Sequence, residues 1–91
     1  LVAALENAYH GDTFGAMAAG ARGVFTHMYE PLLFEVARLP DPSQGDTLAA
    51  LDALIDARGS ELAAVIVEPL LLGAGGMHVW DEDVLRGIRA R

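Results

Sequence analysis

The stretch LAALDALIDARGSELAAVIVEP, residues 48–69, changes its hydrophobic period in the middle. Leu48, Leu51, Leu54 and Ile55 recur at helical spacing while Asp52, Asp56 and Arg58 occupy the other face, so the first half predicts an amphipathic helix. Gly59 ends it. Leu62 to Val67, rich in Ala, Val and Ile, predicts a buried strand that stops at Glu68-Pro69 and leads into a loop. Upstream, Leu1 to Leu5 is short and continuously apolar, as a strand covered on both faces should be, and Asn7 to Gly11 supplies turn residues. Asp12 or Thr13 can cap a short helix over Phe14 to Ala19 that closes on Gly20 as a left-handed C-cap, with Gly15, Ala16, Ala18 and Ala19 allowing close packing. Arg22 to Phe34 is irregular and broken by Pro31, Phe34 to Leu39 predicts a second strand ended by Pro40, and Asp41 to Asp46 reads as a surface loop. Asp81 is placed to cap a final helix. Strands alternating with helices in this order predict an α/β fold with a parallel sheet and crossover helices.

Composition limits what such a domain does. With 91 residues and 53% hydrophobic content the chain is globular and holds one core at most. A net charge of −7 argues against nucleic acid as a partner, because no basic cluster is present to displace counterions. Glu68, Pro69 and the glycines that follow interrupt the most apolar region before it reaches the roughly 18 residues of a membrane span. There is no Cys, so thiol redox chemistry and thiolate metal sites are excluded and a reducing cytoplasm is permitted. All six basic residues are Arg; without lysine, no side-chain amine is present to act as a nucleophile. The N-terminus lacks a Met and a basic segment, and the last helical pattern stops without a cap, so both ends read as cut and residues 1–91 as an incomplete segment of a larger domain.

The run YHGDTFGAM, residues 9–17, puts an aromatic, an imidazole and a carboxylate around a glycine turn just after a strand. Tyr9 can stack on a planar ring and keep its hydroxyl for a polar partner, or pack in the ordinary half-buried way. Asp12 can act in a site or serve only as a helix cap. Glu68 also follows a strand, and ligands of open α/β sheets bind beyond the carboxyl ends of the strands. There a carboxylate accepts a hydrogen bond or pairs with an Arg, in a pocket or merely as a cap at a sheet edge. Gly73-Ala74-Gly75-Gly76 lacks the Lys-Ser or Lys-Thr of a phosphate-binding loop and predicts a tight turn. His10, His27 and His78 show no metal-ligand spacing, and Ser43 and Ser60 sit in no nucleophile motif, so neither a metal site nor a hydrolase triad is expected.

YHGDTFGAM together with AAVIVEP, residues 63–69, and GAGGM, residues 73–77, resembles the class III aminotransferases over essentially the whole chain. The resemblance implies part of the large domain of a fold type I transferase dependent on pyridoxal 5'-phosphate, a mostly parallel sheet flanked by helices, in a homodimer. It implies that Tyr9 stacks on the pyridoxal ring and borders the substrate, that His10 and Gly11 shape that wall, that Asp12 lies near bound substrate, and that Glu68 approaches the cofactor and an Arg that gates the substrate. Within the class, the extension Asp12 to Met17 is most similar to members serving biotin synthesis, which move an amino group from S-adenosylmethionine to 8-amino-7-oxononanoate. The alternatives are a class III enzyme acting on an ω-amino acid and a non-catalytic domain that keeps the surface for binding or assembly. The family's phosphate loop, pyridine-binding Asp, cofactor-binding Lys and carboxylate-binding Arg are not among these residues, so the segment alone is expected to be inactive.

Overall fold

Three short strands, β1 (Val2–Leu5), β2 (Val36–Leu39) and β3 (Ala64–Ile66), pair in parallel in the order β2-β1-β3 in the computed structural model, which describes residues 1–91. The register sets Val2 beside Val36 and Ala64, so the three carboxyl ends share one edge of the sheet. Central placement explains the apolar run of β1: Ala3, Ala4 and Leu5 are completely buried. Strand β3 departs from the expectation of a buried strand. Paired only with β1, it leaves Ala64 and Ile66 exposed on the sheet edge.

Helix α1 (Phe14–Ala19) joins β1 to β2, followed by a 3-10 turn (His27–Leu32) that carries Pro31 within the irregular segment. Of the two candidate caps Thr13 is the one used, its Oγ accepting from the Ala16 N–H. Gly20 is not left-handed as expected; its φ of −70° and ψ of 168° are extended. The last carbonyls of α1 are satisfied in another way. Gly20 N–H reaches Ala16 O, and the guanidinium of Arg38, on β2, donates to Ala18 O and Ala19 O at 2.7 and 2.6 Å, a cation at the helix C-terminus where the peptide dipoles favour one.

Helix α2 (Thr47–Arg58) ends at Gly59 as predicted and starts at Asp46, a residue expected in the surface loop that instead caps the helix, and a 3-10 turn (Gly59–Glu61) leads into β3. Beyond β3 lies a hairpin that periodicity did not foresee, β4 (Leu71–Leu72) antiparallel to β5 (His78–Val79), closed by the tight turn expected at Gly73–Gly76. Helix α3 (Glu82–Ala90) is capped by Asp81, as predicted. It crosses α2 at Gly87, where an added Cβ would stand 2.6 Å from Leu48 Cδ1, and Arg91 clamps the pair through two bonds to Asp52. Leu5, Leu39, Leu51, Leu72 and Trp80 form the centre of the core, with Leu54, Ile55, Val84, Leu85 and Ile88 of the two helices packed around it.

Candidate functional site

Because the sheet is parallel, the residues just beyond β1, β2 and β3 meet at one rim: Asn7 to Gly11, Asp41, and Glu68. Glu68 ties the rim together. Its Oε1 accepts the backbone N–H of Tyr9 at 2.8 Å and its Oε2 accepts that of Gly73 at 3.0 Å. Both oxygens are thus hydrogen-bonded to backbone, and none of this chain's arginines reaches them. A carboxylate bonded to two backbone amides fixes two loops at once and is about twice as strong a tie as a neutral acceptor would be.

The backbone of Tyr9 is therefore held while its ring is free, half exposed at the rim. Asp12, as hydrogen-bond acceptor and as a nearby negative charge, holds the Tyr9 phenol above its ordinary pKa and so in the neutral form. His10 is half-buried. Burial pushes its pKa down, Arg38 adds to that and the charge of Glu68 opposes it, so the imidazole is neutral near pH 7. Its Nε2 is enclosed and has no partner in this chain. Gly11 turns the backbone at φ 122°, a conformation open to Gly and strained for other residues. Four of the sequence-predicted residues, Tyr9, His10, Gly11 and Asp12, thus follow β1 directly, and the fifth, Glu68, is brought to them across 59 residues.

Asp41, Asn7 and His78 were not read from the sequence as site residues. Asp41, expected in a surface loop, is instead completely buried. Its Oδ1 accepts from the N–H and Oγ of Ser43 at 2.9 and 2.7 Å, and its Oδ2 accepts from Asn7 Nδ2 at 3.3 Å and from His78 Nδ1. Burial disfavours the charge, but the bonds from His78, Ser43 and Asn7 together outweigh it and hold the carboxyl at about 2. Asn7 is left-handed at φ 62°, and its carbonyl faces Gly75 so closely that a Cβ there would lie 2.1 Å from the oxygen. The available signal was Asp-Pro-Ser directly after a strand, an Asx turn in which the Asp side chain captures the backbone two residues on. A cleft of about 500 Å³ lined by Glu6, Arg22, Glu35 and Arg38 opens beside β2, and none of the predicted site residues lines it.

Known proteins bear on this rim. The family model described as aminotransferase class III matches residues 1–91. Among curated proteins, the adenosylmethionine-8-amino-7-oxononanoate aminotransferase of Anoxybacillus flavithermus is 42% identical over 92% of this chain and 21% of its own length. The protein of the same name from Synechococcus elongatus is 41% identical over 99% of the chain and 23% of its own. A crystal structure of the corresponding Methanocaldococcus jannaschii enzyme superposes with a TM-score of 0.86 at 29% identity, covering 98% of this chain and 20% of that one. The chain spans about a fifth of the length of the relatives it matches.

Proposed function

Since the chain belongs to the class III aminotransferase family, we propose that its rim is one wall of a pyridoxal 5'-phosphate site in an enzyme that transfers an amino group from S-adenosylmethionine to 8-amino-7-oxononanoate. The observation that carries the proposal is the bond from Tyr9 N–H to Glu68 Oε1 at 2.8 Å. It joins the two strand-end motifs of the family resemblance into a single surface, with an aromatic face left open beside an enclosed, unpartnered imidazole nitrogen. These features fit a planar heteroaromatic group with polar substituents. When bound, the cofactor supplies the electron sink that lets an amino group leave one carbon and join another.

The residues of this chain act by placement. Tyr9 offers its ring face for stacking, its position set by a backbone bond and its phenol kept protonated by Asp12. Gly11 turns the chain so that Asp12 lies at the open side, toward bound substrate, while His10 and Gly11 shape the wall. Glu68 holds the loop after β1 and the Gly73 turn in register and excludes slack between them. With no lysine among its 91 residues, this segment provides no amine to hold the cofactor covalently, and catalysis requires residues beyond it. The same proposal makes the whole enzyme a cytoplasmic homodimer, and Val24, Phe25, Met28 and Leu32, 62 to 92% exposed in this segment, are apolar surface for the rest of the enzyme or a second subunit to cover. No helix is long and apolar enough to cross a membrane.

The test uses the complete enzyme with cofactor and 8-amino-7-oxononanoate. S-adenosylmethionine should serve as amino donor and give 7,8-diaminopelargonate. Turnover with an ω-amino acid and none with S-adenosylmethionine would move the assignment to another branch of the class, and a complete protein that binds no cofactor would leave only a binding or assembly role.

A further inference from the structure

Asp41 distributes its two oxygens between different tasks. Oδ1 serves its own loop, taking both bonds from Ser43, whereas Oδ2 serves two distant segments, taking Asn7 Nδ2 from 34 residues away and His78 Nδ1 from 37. Those are the segments that Glu68 also joins. Asn7 lies two residues before Tyr9, and His78 lies five after Gly73. Between the two ties the carbonyl of Asn7 is pressed against Gly75, and the His78 ring lies against Gly76, whose added Cβ would stand 3.0 Å from Nε2. Two carboxylates and one close backbone approach therefore fix the same pair of loops, and neither loop can slide while all three hold.

We propose that the Asp41–His78 pair is a latch that sets the height of the rim, making Asp41 and His78 positioning residues for Tyr9 and Glu68. Neither needs to touch the ligand. The latch acts by fixing the distance between Tyr9 N–H and Gly73 N–H at the value that a single Glu68 carboxylate can span. Removing the His78 donor leaves Oδ2 with Asn7 alone at 3.3 Å, and the Gly73–Gly76 turn is then held to the loop after β1 only through Glu68. A buried carboxylate that loses a donor draws in water or a new partner, and either outcome shifts the turn.

The effect of the latch on the rim is independent of the proposed function; its effect on cofactor affinity rests on that proposal. In the complete enzyme, His78→Leu removes the donor, while His78→Asn restores an amide N–H at the position of Nδ1. Hydrogen exchange in the cofactor-free protein is read at Tyr9 and Gly73, and pyridoxal 5'-phosphate binding by absorbance titration. His78→Leu should speed exchange at both amides by about tenfold and weaken cofactor binding by a similar factor, and His78→Asn should stay within about twofold of the parent in both. Ser43→Ala, which removes only a local bond, should leave both amides protected. If His78→Leu does not fold, Asn7→Gly, which keeps the left-handed backbone and deletes the other Oδ2 donor, should loosen the same two amides. Unchanged exchange in His78→Leu, or equal damage in His78→Asn, would overturn the latch, and faster exchange with no change in cofactor binding would overturn its part in positioning the rim for the cofactor. A parent enzyme that binds no cofactor would refute the proposed function, and the exchange result would still decide the latch.

Discussion

Replacing Gly75 with Ala tests how finely the rim is set. A Cβ at this position would stand 2.1 Å from Asn7 O and 3.0 Å from both Asn7 C and Asn7 Cβ, all part of a residue held in a left-handed conformation and bonded to Asp41. No flexible side-chain end is available to swing away. To bring the 2.1 Å contact to a tolerable separation the turn and the loop must part by about 1 Å, a displacement of the size that costs about a hundredfold in rate when it misplaces reacting groups. The bond from Gly73 N–H to Glu68 Oε2, 3.0 Å long, lies two residues away and does not survive a lengthening of that order.

Losing a bond to a charged acceptor costs about 1.5–3 kcal/mol, and forcing a methyl group into closed space typically costs about 1–3 kcal/mol more. In the complete enzyme Gly75→Ala should therefore lower kcat/KM by about a hundredfold and lower the unfolding midpoint as well. Gly23→Ala is the matched control, because an added Cβ there meets nothing within 4 Å. Steady-state kinetics on purified protein, paired with a denaturant titration, measures both effects. A Gly75→Ala enzyme within about threefold of the parent, with the same midpoint, would refute the claim that this contact sets the rim.

Other perturbations separate the parts. The Asp41 carboxyl is held at about 2 against an ordinary 3.8, so its stabilisation is complete above the ordinary value and is lost as pH falls from about 4 through about 2. The difference in unfolding free energy between parent and Asp41→Asn should shrink by about 2 kcal/mol across that window, and a difference that stays constant with pH would contradict the assignment. Tyr9→Phe keeps the ring face and should leave pyridoxal 5'-phosphate affinity nearly unchanged, whereas Tyr9→Ala should weaken it by about 2- to 10-fold in an absorbance titration. Equal effects of the two substitutions would rule out stacking as the role of Tyr9. At the crossing of α2 and α3, Gly87→Ala meets the end of the Leu48 side chain, with Cδ1 at 2.6 Å, and the helix-propensity gain of about 1 kcal/mol offsets part of the crowding, so the substitution should destabilise by at most about 2 kcal/mol and should stabilise in a Leu48→Ala background.

Helix α2 and strand β3 were legible because each rests on local signals: a 3.6-residue period with a Gly stop, then a β-branched run. The meeting of Tyr9 with Glu68 was legible for a topological reason. Two residues that each follow a strand of one parallel sheet end at the same edge, whatever the chain between them does. What escaped depends on partners remote in sequence. Asp-Pro-Ser carries the composition of a solvated loop, and Asp41 is buried only because Asn7 and His78 arrive with donors. The hairpin β4 and β5 has two residues on each side, too few to show alternation. Gly20 invited a left-handed cap, but Arg38 had already satisfied the carbonyls such a cap would serve.

The disposition of charge narrows what the wall contributes. Arg38 is committed to the end of α1, Arg22 to Phe34 O, Arg58 to Glu35 and Glu61, Arg86 to Glu82 and Arg91 to Asp52, while Arg89 on α3 lies beside Leu62 to Val65, at the amino end of β3 and away from the rim. Glu68 and Asp41 take their donors from amides, a hydroxyl and an imidazole, so the rim is held without any guanidinium. A wall built this way offers an aromatic face and hydrogen-bonding edges, and its nearest cations, Arg22 and Arg38, are bonded to backbone carbonyls. The contribution of this segment is the orientation of the ring, which the two carboxylates fix through the loops that carry it.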